Sequence, residues 1–218
     1  MRMKASRVIG PLVWLVLLGG CFGAYQTTPD DVQTMGGLKP DVEDKDAGLV
    51  ALAPGLDIKA YKVIAVGKFP VTDPAIKDDG DRRKAAEMST ILQNEIVRRL
   101  RDTGLFARVV NLSETEFTPG ADKTLRLDGT ISRLGEGSQA ARAFVGLYGG
   151  GAARAQAEMQ FIDVQSKQTV LVVADRRRAT MGFFGGDAKD HWKESFDDMA
   201  RDLGKFLVRL AAGQAPAK

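Results

Sequence analysis

Cys21 is the only thiol in the 218-residue chain and His191 the only imidazole. A lone cysteine can act as a nucleophile, pair with another chain or carry a covalent group. A lone histidine beside Trp192, in the first turn of a helix, reads as a surface or capping residue. With one cysteine and one histidine there is no ligand cluster for a metal. Glu136, Asp163 and Asp175 are candidate acids and bases, but nothing in their spacing brings two carboxylates together. Gly146 to Gly151 is rich in glycine, yet no Lys-Ser or Lys-Thr follows it, and no nucleophile elbow occurs. The acids of Asp73 to Asp81 miss the spacing of a calcium loop, since Lys77, Ala75 and Ala86 occupy ligand slots. The expectation is a protein without catalysis, metal or cofactor, its one covalent group being carried by Cys21.

That cysteine closes an N-terminal pattern. Arg2, Lys4 and Arg7 precede Val8 to Leu18, an apolar run of about 11 residues, well short of the roughly 20 that span a bilayer as a helix. A basic start, a short apolar core and a small-residue exit describe a removable export signal. Leu18-Gly19-Gly20-Cys21 resembles the lipobox of bacterial lipoproteins. The resemblance implies removal of residues 1–20 after Gly20, a diacylglyceryl group on the Cys21 thiol and a fatty acyl chain such as palmitate on its amine. Phe22 stands where aspartate would resemble an inner-membrane retention signal, which points to the periplasmic face of the outer membrane. An ordinary cleaved signal and an uncleaved anchor are the alternatives. Against them, an exported chain with one thiol forms no internal disulfide, and acylation removes a reactive group.

Lysine and arginine number 31 against 28 acids. The expected signal removes Arg2, Lys4 and Arg7 and no acid, leaving 28 against 28. A neutral mature chain argues against a nucleic-acid partner held by phosphate contacts. Residues 21–56, with Pro29, Pro40, Pro54, Gly36-Gly37 and the acidic run Asp41 to Asp46, read as a lipidated N-terminus and flexible tether. Residues 57–212 read as one periplasmic domain and 213–218 as a disordered tail.

The domain opens with a strand over Tyr61 to Phe69, stopped by Pro70. Arg82 to Thr103 is an amphipathic helix, with Met88, Ile91, Leu92, Ile96 and Leu100 on one side and Gly104 at its end. Phe106 to Val110 is a second strand, parallel to the first across the helix. Leu125, Leu127, Gly129 and Ile131 alternate with polar residues, as do Ala153, Ala155, Ala157, Met159 and Phe161, so each strand has a dry and a wet face. Thr169 to Ala174 is apolar on both faces and therefore internal. Trp192, Phe196, Met199, Leu203, Phe206 and Leu210 line a C-terminal helix capped at Asp187. The fold class is α+β: a two-layer sandwich of a mixed, mostly antiparallel sheet with two main helices on one face, after a signal peptide and flexible linker.

This order resembles the periplasmic domains of curli-secretion-type and synthase-activator lipoproteins. Ile64-Ala65-Val66-Gly67-Lys68-Phe69, Leu127-Asp128-Gly129-Thr130-Ile131 and Ala157 to Asp163 before a tight turn resemble bacterial envelope lipoproteins built on a domain of unknown function. Such relatives have glycine where this chain has Lys167. The resemblance implies location and fold.

Gly146-Leu147-Tyr148-Gly149-Gly150 and Gly182-Phe183-Phe184-Gly185-Gly186 are one small pattern used twice. A hairpin turning near Gln165 to Gln168 pairs residues whose numbers sum to about 333, bringing both segments to one end of the sheet. Leu147, Tyr148, Phe183 and Phe184 are candidate contacts for a partner protein, a second copy or lipid, with Arg142, Arg154 and Arg176 to Arg178 near the same end. The alternative is that the aromatics fold under the C-terminal helix while the arginines form a solvated edge. The expected function is a lipid-anchored envelope protein acting by binding, as an accessory or assembly factor, with membrane lipid held through Cys21. The alternatives are an oligomer-forming subunit of a secretion-type outer-membrane complex and, less in keeping with the residues, a cell-wall-acting enzyme.

Overall fold

A computed structural model describes residues 24–135, 153–179 and 188–217. The order is β1 (Ala24–Thr27), β2 (Val42–Asp44), β3 (Gly48–Leu52), a 3-10 turn (Ile58–Ala60), β4 (Val63–Val66), α1 (Asp79–Thr103), β5 (Arg108–Asn111), β6 (Thr124–Gly135), β7 (Ala153–Asp163), β8 (Thr169–Ala179) and α2 (Ala188–Ala211). One eight-stranded sheet runs β2-β3-β8-β7-β6-β4-β5, with β1 also on β8. β4 is parallel to β5 and β6, and the other pairings are antiparallel. The α+β architecture read from the sequence is the one observed.

The periodicities fall where expected. Met88, Leu92, Ile96 and Leu100 of α1 and Trp192, Phe196, Met199, Leu203 and Phe206 of α2 are buried against Leu125, Leu127, Ile131, Ala155, Ala157, Met159 and Phe161 of the sheet. Asp78 caps α1 by accepting from the Asp81 amide at 2.8 Å, and Gly104 ends the helix in the left-handed region. The helices run in the same direction: Lys189 pairs with Glu87 near their starts, and Arg99 with Asp197 further along. A side chain on Gly204 would stand 3.3 Å from the Thr103 methyl, so glycine lets the helices close.

Two motifs interlock. A Cβ on Gly129 would lie 2.4 Å from the Phe69 ring, and one on Gly67 would lie 2.5 Å from the Asp128 carboxylate. Each glycine vacates the space that a side chain from the other motif fills.

The segment read as a tether is part of the sheet from Ala24 onward. β3 pairs with Leu171 to Ala174 of β8, and β1 pairs with Arg176 to Ala179 along the same edge. Between β1 and β2 the chain crosses the face opposite the helices. The Asp30 amide donates to Gln156 at 2.9 Å, the Gln33 amide donates to Glu158 at 3.4 Å, and Gly36 packs on Thr169. Composition misled because strand pairing uses the main chain, and the acidic run supplies acceptors rather than solvated charge. Asp44 accepts from the Asp46 and Ala47 amides and receives Arg209 at 2.6 Å. The C-terminal segment read as a disordered tail is also pinned, with the Ala217 amide donating to Asp44 at 2.9 Å and the Lys45 amide to the Ala217 carbonyl.

The arginines of β8 are not an edge, since both sides of the strand are paired. Arg177 is 4% exposed. It donates twice to Asp175, reaches Asp202 of α2 at 3.1 Å and donates to the Asp46 carbonyl. This cluster fastens α2 and the β2–β3 turn to the sheet. Burial pushes the Asp175 carboxyl up to about 6, against the pull of Arg177. Burial also opposes the charge of Asp202, but Arg201, Lys205 and Arg177 outweigh it and hold that carboxyl below its ordinary value.

The turn between β7 and β8 keeps the shape glycine would give it. Lys167 adopts φ +60, while Asp163 accepts from the Gln165 and Ser166 amides and from the Tyr61 hydroxyl at 2.9 Å. A left-handed lysine costs roughly 1–2 kcal/mol, more than the entropy glycine would add to the unfolded chain. Lys167→Gly is therefore expected to raise the unfolding free energy by about 0.5–1 kcal/mol, read from denaturant midpoints.

Asp175 gives a pH signature. Its native pKa lies above the unfolded value, so between about pH 4 and 6 the native state holds the extra proton and stability falls as the pH rises. Asp44, Asp163 and Asp202 are shifted the other way, so their contribution is lost as the pH falls below the ordinary carboxylate range. Melting temperatures measured between roughly pH 3 and 8 should show Asp175→Asn losing the decline above about pH 4 while keeping the acid loss. An unchanged profile would contradict the assignment.

Candidate functional site

The parallel pair β4 and β5 and the antiparallel run β6–β7–β8 give β4, β5, β6 and β8 a common C-terminal end. α1 begins at that end, since it returns the chain from β4 to the start of β5. α2 begins there too, and its Trp192 indole donates to the Gly135 carbonyl at 3.4 Å. β1 starts at the same end, with Ala24 opposite Ala179 and Ala179 opposite Ala153. Paired numbers in β7 and β8 sum to 332 along most of the hairpin, as for Ala153 with Ala179 and Met159 with Val173. The expected register of about 333 is off by one residue.

A cleft of about 790 Å³ opens beside this end, between the first half of α1, the chain after β4 and the chain after β5. Open sheets place crevices at the C-terminal ends of parallel strands because the flanking loops diverge there. Its base is a network of neutral side chains. The buried Gln93 donates to the Val66 carbonyl at 3.1 Å and accepts from the Ser113 hydroxyl at 2.8 Å. Asn111 donates to Asn94 at 3.2 Å and accepts from the Ser113 amide at 3.0 Å. Ser89 and Thr90 line one wall, Lys68 and Arg82 belong to the lining, and Arg82 pairs with Asp79. Asp73 holds the loop in place by accepting from the Leu134 amide at 2.7 Å and the Ala75 amide at 2.9 Å. Amides, hydroxyls and flanking cations can hold a polar ligand by hydrogen bonds. No pattern in the sequence announced this network, because Gln93 falls between apolar positions of a helix and its partners come from a separate strand and turn.

Cys21, Gly20, Leu147, Tyr148, Phe183 and Phe184 lie outside the described residues, as do Glu136, Arg142 and Asp187. What the structure shows of the two glycine-aromatic segments is where their flanking strands stop: Gly135, Ala153 and Ala179 share one end of the sheet. Asp163 and Asp175 are separated by about 20 Å of strand. Asp175 instead meets Asp202 through Arg177, a pairing of carboxylates that spacing alone did not reveal. His191 is half-buried in the first turn of α2, its Nδ1 3.9 Å from Glu194. Among the described residues, no group of three or more histidines, cysteines and acids is placed to hold a metal. No described helix is long and apolar enough to cross a membrane.

No curated protein matches the chain. Among solved structures, a PelC dodecamer from Paraburkholderia phytofirmans is similar at 13% identity, covering 71% of this chain and 96% of that chain with a TM-score of 0.43. Protein XCC0632 from Xanthomonas campestris is similar at 13% identity, covering 81% and 97%, with a TM-score of 0.47. The family described as Domain of unknown function (DUF4410) matches residues 64–182, from the second residue of β4 to just beyond β8. The chain belongs to the DUF4410 family.

Proposed function

We propose that this protein is a lipid-anchored component of the bacterial envelope that acts by binding, as an accessory or assembly factor on the periplasmic face of the outer membrane. The observation that carries the reading is Leu18-Gly19-Gly20-Cys21 behind a short apolar run and three basic residues, with the only cysteine of the chain at the exit. The fold supports it, because the first strand begins at Ala24, immediately past the modified residue. Two or three acyl chains on Cys21 hold the protein at a bilayer, each buried CH₂ contributing about 0.8 kcal/mol. The cleft of Gln93, Asn94, Asn111 and Ser113 is where a polar group of a partner would be held, through amide and hydroxyl hydrogen bonds.

A second reading, self-association into a secretion-type assembly, draws on β5. Among the described residues it pairs with β4 on one side only, which leaves a sheet edge open. Light scattering on the detergent-solubilised full protein separates the readings, a ring of defined stoichiometry favouring the second.

The anchor is tested on the protein from its native envelope. The N-terminal peptide is expected to begin at Cys21 and to carry the diacylglyceryl and fatty acyl masses. Cys21→Ala is expected to move the protein from the membrane to the soluble fraction. A bare thiol, or an alanine variant just as firmly membrane-bound, would overturn the reading.

A further inference from the structure

The cleft beside β4 and β5 is uneven in its hydrogen-bonding capacity. Each amide oxygen of its floor already accepts from the protein: Gln93 Oε1 from the Ser113 hydroxyl, Asn94 Oδ1 from the Asn111 amide group, and Asn111 Oδ1 from the Ser113 amide. Asn94 Nδ2 and the Lys68 ammonium also belong to the lining, and among the described residues they donate to nothing. An amide nitrogen carries two donors and an ammonium three, so this part of the lining calls for acceptors.

Charge narrows the choice. Arg82 is paired with Asp79, and both carboxylate oxygens of Asp73 accept backbone amides, from Ala75 and Leu134. Lys68 stands exposed two residues past β4 and enters no ion pair among the described residues. Glu114, an exposed acid on the chain after β5, repels an anion from its own side of the cleft and so favours the Lys68 side. Val71, Ile76, Ala85 and Ala86 add an apolar wall. A volume of about 790 Å³ suits a small molecule or the end of a chain better than the face of a folded protein.

We infer that this cleft binds a short peptide by its C-terminal carboxylate. Lys68 pairs with the carboxylate, Asn94 donates to it or to the last peptide carbonyl, and the apolar wall takes a small terminal side chain. The neutral amides of the floor match the donor and acceptor of a peptide bond. The inference rests on the reading of this cleft as the place where the protein binds, and gives that place a ligand class.

Isothermal titration of the full lipidated protein in detergent tests it. The probe is acetyl-Ala-Ala, compared with its C-terminal amide and with sodium propionate. The acid is expected to bind about tenfold or more tightly than the amide, because amidation removes a charge-assisted contact. Lys68→Met is expected to bring the acid down to the level of the amide with the melting temperature unchanged, since Lys68 is exposed. Equal affinity for acid and amide, or an acid affinity untouched by Lys68→Met, would overturn the carboxylate contact. Propionate binding as tightly as the peptide would overturn the peptide and leave a site for simple anions. Binding of none of the three would overturn the ligand class alone, because the anchor is read independently from the fractionation of Cys21→Ala.

Discussion

The long outer edge of β8 is the constraint on which the architecture depends. Its 11 residues present main-chain donors and acceptors on both sides, and leaving one side unpaired inside a folded domain is costly. β7 satisfies one side along nearly the whole length. No single strand satisfies the other. β3 covers its first half and β1 its second, both drawn from the N-terminal quarter of the chain. Val172 and Ala174 are as buried as Leu171 and Val173 because the chain between β1 and β2 crosses the face opposite the helices. Asp175 and Arg177 alternate onto the helix side of the strand, where a charge persists only when paired.

Two different kinds of contact lock the elements together. Near β4 and β6 the joint is steric, with Phe69 over Gly129 and Asp128 beside Gly67. Near β8 and α2 it is ionic, with Arg177 bridging Asp175, Asp202 and the β2–β3 turn, while Arg209 ties Asp44 and Asp46 to the end of α2. Removing one member of such a buried set leaves the others uncompensated, so it behaves as a unit.

Most of the helical and long-strand architecture was legible in the sequence, and the reasons are local. Met88 to Leu100 and Trp192 to Leu210 carry the helical period. Leu125 to Ile131 and Ala155 to Phe161 carry the period of two, and the hairpin register followed from one turn to within a residue. The N-terminal strands were not legible, because Ala24–Thr27 and Val42–Asp44 are short, carry little apolar pattern and exist only through pairing with distant partners. Asp44 looked like solvated charge in an acidic run, yet its partner Arg209 lies 165 residues away. The neutral network of the cleft was hidden for the same reason, since Gln93, Asn111 and Ser113 meet only once α1 has folded over β5.

The pairing of β1 with β8 bears on how the molecule assembles. Thr27 and Arg176 lie 149 positions apart and meet through Thr27 Oγ1. Among the described strands, β1 therefore waits for β8, the last of them in chain order, before it has anything to pair with. Closing so long a loop costs entropy before any contact repays it, and topologies dominated by such contacts acquire their native form slowly. Until β8 arrives, the residues of β1 have no strand beside them, and the sheet is complete only when strands about 150 positions apart have met.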